Sequence, residues 1–114
     1  MEIIYSKAMR PFCKNDFCGL QRKVGKQLAR DIKKKIEVLQ AFNNFNDYLL
    51  SRIGKPHSLE GRMGCYGVSL TGNVRMIVCP VSESLSAEDL KKCEIVEIEG
   101  VCDYHGAKTS SIIP

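Results

Sequence analysis

The chain opens with a short apolar run, Ile3-Ile4-Tyr5, that reads as a strand. A broken stretch from Pro11 to Gly19 follows, with room for one helical turn or a loop. At Leu20 the period changes. Leu20, Val24, Leu28, Ile32 and Ile36 recur every four residues, and Leu39 and Phe42 continue the stripe, which predicts one amphipathic helix from about Leu20 to Phe42. Asn43-Asn44-Phe45-Asn46-Asp47 favours caps and turns over helix interiors and ends it. Tyr48-Leu49-Leu50 adds one more turn before the loop Gly54-Lys55-Pro56-His57.

Beyond that loop the pattern alternates. Cys65 to Leu70 and Val74 to Cys79 each read as strands, Thr71-Gly72-Asn73 is the tight turn between them, and Pro80 closes the second. Ser86-Ala87-Glu88-Asp89-Leu90 fits a capping box, with the Ser86 hydroxyl and Asp89 carboxylate meeting free amides at the start of a short helix. Cys93 to Ile98 returns to strand, Val101 to His105 extends or follows it, and Ser110 to Pro114 is a short apolar tail. The expected fold is α+β: one small antiparallel sheet, its N-terminal helices packed on one face, in a single domain over residues 1–114.

Composition narrows the class. With 44% hydrophobic and 26% charged residues the chain is built to fold, and no run approaches the ~18 apolar residues of a membrane span. A strand-like N-terminus without a secretory pattern points to the cytoplasm, with no membrane partner. Cys13, Cys18, Cys65, Cys79, Cys93 and Cys102 are therefore expected as six free thiols, three of them small hydrophobes in strand-like runs. Zinc on Cys93, Cys102 and His105 is the weaker alternative, because the spacing matches no compact zinc module; neither metal nor cofactor is expected. The net charge of +4 is modest but unevenly placed. From Arg22 to Lys35 seven cations stand against the single acid Asp31, and Arg22, Lys26, Arg30 and Lys33 gather opposite the apolar stripe.

Candidate chemistry comes from three segments. His57 lies in the loop before the hairpin, Arg75 inside its second strand, and Asp103-Tyr104-His105 at the end of the last strong strand. Such a set suits RNA cleavage: histidine and tyrosine move protons to and from the 2′-hydroxyl and the leaving oxygen, and an arginine fork meets the charge that builds on phosphorus. Each residue also has a plainer role. His57 fits a solvated loop, Arg75 a stem laid on apolar surface, and Tyr104 a core aromatic with its hydroxyl at the rim.

The segment KPHSLEGRMGCYGVSLTGNVRMIV, with the later CDYHG, resembles the RelE/ParE toxin superfamily, its HigB-like branch in particular. The resemblance rests on His57, Leu59 with Gly61, Tyr66, Gly72 with Asn73, Arg75 and Asp103-Tyr104-His105, and covers the second half of the chain. It implies a RelE-like fold and the toxin of a type II toxin–antitoxin pair, a ribosome-dependent endoribonuclease that cuts mRNA. The partners it implies are the ribosome, mRNA and a helix-turn-helix DNA-binding antitoxin. By position, His57, Arg75, Asp103, Tyr104 and His105 form the catalytic set, the histidines moving protons, Arg75 stabilising phosphate and Tyr104 stacking on or orienting the RNA. Arg22, Lys26, Arg30 and Lys33 are the expected contacts to ribosomal RNA. ParE-type relatives, which inhibit gyrase by binding alone, and a catalytically inactive relative are the alternatives. The chain departs from its relatives at Glu60, where many carry lysine, in a longer stretch from Ser82 to Lys92, and in the nine residues after His105.

Overall fold

The computed structural model describes residues 1–59, 61–105 and 108–114, with His105 and Lys108 described by their backbone alone. Along the chain run β1 (Glu2–Tyr5), α1 (Arg10–Phe17), α2 (Leu20–Val24), α3 (Lys26–Ala41), α4 (Phe45–Ser51), β2 (His57–Leu59), β3 (Arg62–Thr71), β4 (Val74–Pro80), α5 (Ala87–Leu90), β5 (Ile95–His105) and β6 (Lys108–Ile113).

The apolar stripe from Leu20 to Phe42 is carried by two helices instead of the one that its period predicts. Gly25, with φ +91° and ψ 163°, sits in a region essentially reserved for glycine and turns the chain between α2 and α3. The stripe itself survives the break: Leu20, Ile32, Ile36 and Leu39 are fully buried. Asn44 caps α4 by accepting from the Asp47 amide at 2.8 Å. Ser86 caps α5 in the same way, accepting from the Asp89 amide at 3.2 Å. The Asp89 carboxylate takes a different part from the one expected: it accepts from the Ser84 hydroxyl at 2.6 Å, and Ser84 in turn accepts from the Ser86 amide at 3.2 Å.

The strands form one sheet in the order β1-β5-β4-β3-β2. All pairings are antiparallel except that of β1 with β5, where Ile3 lies beside Val96 in parallel, so the sheet is mixed and not purely antiparallel as expected. A parallel neighbour needs a crossover connection, and the helices and the intervening hairpin supply it. The expected apolar tail is a strand, β6, which pairs with Val101 to His105 along the edge of β5 that β1 leaves open.

The helices pack on one face of this sheet. Ile32, Ile36, Leu39, Phe45 and Tyr48 meet Val68, Met76, Val78, Val96, Ile98 and Val101 there. Alternation along the strands sends their neighbours to the opposite face, where Cys65, Ile77 and Cys102 form a second small cluster edged by Leu59, Cys79 and Tyr104. No helical residue among those described joins that cluster. No helix is long and apolar enough to cross a membrane.

Candidate functional site

The expected catalytic residues lie on β2, β4 and β5, and sheet register decides which of them meet. Arg75 pairs with Cys102, two residues before Tyr104, so Arg75 and Tyr104 are diagonal neighbours about 8 Å apart at Cα. The Tyr104 amide donates to Asn73 O at 2.9 Å, which ties this end of β5 to the hairpin turn. Arg75 Nη1 donates to Gly72 O at 2.8 Å and Val74 O at 3.2 Å. These two bonds fold the side chain over its own turn and leave Nε and Nη2 without a hydrogen-bond acceptor among the described residues. Burial raises the Tyr104 phenol above its ordinary value, with Cys102 adding to the rise, while the charges of Arg62 and Arg75 both pull it down. Tyr104 thus stays a protonated phenol at neutral pH with two guanidinium groups close enough to act on it.

His57 stands further off. Its strand partner is Gly67, which pairs with Ile77, which pairs with Gly100. With strands ~4.8 Å apart and ~3.3 Å per residue, this register puts His57 roughly 12 Å from Arg75 and roughly 20 Å from Tyr104 at Cα. Its ring lies over Gly67, where an added Cβ would stand 3.2 Å from the imidazole, so the absent side chain makes room for it. His57 Nδ1 lies 3.3 Å from Lys55 O; a proton on Nδ1 directed there leaves Nε2 as the acceptor.

Asp103 pairs with Val74, and alternation gives it the sheet face opposite Tyr104. The backbone of His105 continues β5 and pairs with Lys108. Its side chain, and Glu60 entirely, lie outside the described residues. Arg75 and Tyr104 are therefore the two expected residues that the described structure draws together, with His57 on the same face and at a distance.

The basic set spans two helices, Arg22 on α2 and Lys26, Arg30 and Lys33 on α3. Arg22, Lys26 and Arg30 are exposed. Lys33 is half-buried, its ammonium 5.6 Å from the centroid of the Phe17 ring, and this cation–π contact gives it a part in packing α1 against α3.

The cysteines depart from expectation. Cys65 and Cys79 form a disulfide, while Cys13, Cys18, Cys93 and Cys102 are free. The two stand seven residues either side of Gly72, so the hairpin register that sets Tyr66 beside Val78 sets them face to face. That symmetry about the turn was available in the sequence, but reasoning from the redox compartment overlooks it. Cys93 belongs to the helix-side core and Cys102 to the opposite cluster, so the two are on different faces of the sheet and do not gather as a zinc site.

Two further residues complete this face. Glu99 is the extra residue of a β-bulge, since Ile77 pairs with Gly100 and Val78 with Ile98. The bulge turns its carboxylate onto the disulfide: Oε2 lies 3.1 Å from Cys79 Sγ and 3.5 Å from Cys65 Sγ. Its other oxygen, Oε1, accepts from Arg62 Nη1 in an ion pair. Neither Arg62 nor Glu99 stands out in the sequence, because Arg62 precedes and Glu99 follows the strands that alternation predicts, where a charged residue is ordinary.

Compared with protein-family models, with curated proteins and with solved structures, the chain has no match in any of the three.

Proposed function

We propose that the chain is the toxin of a type II toxin–antitoxin pair, a ribosome-dependent endoribonuclease that cleaves mRNA without a metal. One observation carries this reading: Arg75 and Tyr104 are diagonal neighbours on the sheet face opposite the helices, with Nε and Nη2 of Arg75 directed to no acceptor among the described residues. A phosphate bound there meets a guanidinium already fixed by its own turn, so little reorganisation is needed as charge builds on phosphorus. In the reaction the RNA 2′-oxygen bonds to phosphorus and loses its proton, and the 5′-oxygen leaves with one. His105, next to Tyr104 in the chain, and His57 are the candidate proton carriers. Tyr104, protonated at neutral pH, stacks on or orients the RNA. Arg22, Lys26 and Arg30, exposed on α2 and α3, contact ribosomal RNA through phosphates, with Lys33 contributing less because of its place over Phe17. A helix-turn-helix antitoxin is the expected partner, and the cytoplasm is where the ribosome is met.

The test is inducible expression without an antitoxin, followed by primer extension on a translated message. Discrete cuts with the native chain, reduced by roughly 10²–10³ in Arg75→Ala, are the expected result. Reversing Arg22 and Arg30 to glutamate should weaken ribosome binding and flatten its dependence on salt, with the fold retained. Intact mRNA alongside growth arrest and DNA damage would replace this reading with a gyrase-binding inhibitor. Full toxicity of a folded Arg75→Ala chain would do the same.

A further inference from the structure

We propose that Cys65, Cys79 and Glu99, once the disulfide is reduced, form a binding site for one thiophilic divalent cation, zinc in the first instance. Three adjacent strands supply the ligands: β3 gives Cys65, β4 gives Cys79, and the bulge of β5 gives Glu99. The two sulfurs and a carboxylate oxygen lie within 4.8 Å of one another.

The placement of Glu99 makes the case. In the disulfide neither sulfur carries a proton, so the carboxylate faces two atoms that have nothing to donate to Oε2. Among the described residues its only charged partner is Arg62, and Arg62 holds the other oxygen, Oε1. One lobe of the carboxylate is thus neutralised and the second is aimed at the point where the sulfurs converge. Tetrahedral zinc, with bonds of about 2.3 Å to sulfur and about 2.1 Å to oxygen, needs its ligands about 3.5–3.8 Å apart. The oxygen already stands 3.1 and 3.5 Å from the sulfurs, so the principal movement required is separation of the sulfurs by rotation about their Cα–Cβ bonds.

Charge supports the same conclusion. Two thiolates and a carboxylate carry three negative charges, and Arg62 offers one positive charge. A divalent cation brings the group to neutrality, whereas two bare thiolates beside Glu99 would repel it. The donor set is soft, two sulfurs and one oxygen, which suits zinc over calcium or magnesium. Leu59, Ile77 and Tyr104 form the apolar side of the cluster, and Cys79 and Glu99 are half-exposed, so an ion has a path in and solvent supplies a fourth ligand. The steps balance. A thiol reductant gives up two electrons and becomes its own disulfide, the Cys65–Cys79 bond opens to two thiols, and the entering cation displaces two protons.

The experiment titrates Co²⁺ into the 114-residue chain, first reduced and freed of oxygen, then oxidised so that the Cys65–Cys79 disulfide is intact. One equivalent should produce a sulfur-to-cobalt charge-transfer band in the reduced chain, Zn²⁺ should bleach it, and the oxidised chain should show none. Because both arms use the same polypeptide, the comparison does not depend on a variant folding. Cys79→Ser should abolish the band, and Glu99→Gln should weaken binding roughly 10- to 100-fold. A chain with Cys13, Cys18, Cys93 and Cys102 all changed to serine should keep the band. No stoichiometric band in the reduced chain overturns the site, as does an equal band in the oxidised chain or its survival in a folded Cys79→Ser chain.

Discussion

Gly100→Ala tests how tightly the last strand is bound to the sheet. A Cβ at Gly100 would stand 2.5 Å from the Ile113 carbonyl oxygen, closer than real Cβ atoms approach, and 3.2 Å from the Pro114 carbonyl carbon, a tight contact in its own right. A backbone group lacks the freedom of a side-chain tip to swing aside, so either β5 bends or the end of β6 moves away. Bending the strand costs about 1–3 kcal/mol, as overpacking does elsewhere. Moving β6 draws Ile113, fully buried against Val101, out of the core, and loss of a buried isoleucine costs about 2–5 kcal/mol. Displacement of β6 is the expected response, because among the described strands β6 pairs with β5 alone.

The assay is urea unfolding of Gly100→Ala, Ile113→Ala and the double variant. If Gly100→Ala acts by displacing β6, the two single effects draw on the same contacts. The double variant should then be more stable than their sum by roughly 1–3 kcal/mol. Additivity to within about 0.5 kcal/mol would refute this account and place the strain inside β5. Domains of this kind have about 5–15 kcal/mol in total, so either result is measurable.

Gly25→Ala should destabilise the chain by about 1–3 kcal/mol, since nothing crowds the position and the cost is that of a side chain at φ +91°. Far-ultraviolet circular dichroism should show no gain in helix; a gain would mean that α2 and α3 prefer to merge. Burial pushes the Cys13 thiol from 9.0 up to about 11. Between those pH values the unfolded chain has released a proton that the folded chain keeps, so stability should fall as pH rises through that window and be unaffected by this group below it. Denaturation at several pH values should show a shallower decline in Cys13→Ala, and an equal slope would assign the alkaline loss to other groups.

Much of this fold is legible one segment at a time. The four-residue recurrence from Leu20 onward marks the buried helical face, alternation either side of Gly72-Asn73 marks the hairpin, and Ser86 marks the start of α5, because each is a local property of the chain. The break at Gly25 is also local, but a stripe that continues on both sides hides it. What the sequence leaves open is pairing. Whether β1 runs parallel to β5 depends on how the crossover packs, and whether the last residues are tail or strand depends on a vacant edge of β5 that exists only once β1 has filled the other half. The same holds for the candidate sites. The types Arg75 and Tyr104 suggest phosphate chemistry on their own, but the register Arg75–Cys102 makes them neighbours, and the place of β2 beside β3 keeps His57 two strands from Arg75 and three from Tyr104. Cys65 and Cys79 are paired by symmetry about a turn that the sequence contains, whereas Glu99 reaches them through a bulge opposite Ile77 and Val78. A bulge is the sheet's answer to a register mismatch between two assembled strands, and neither strand carries it alone.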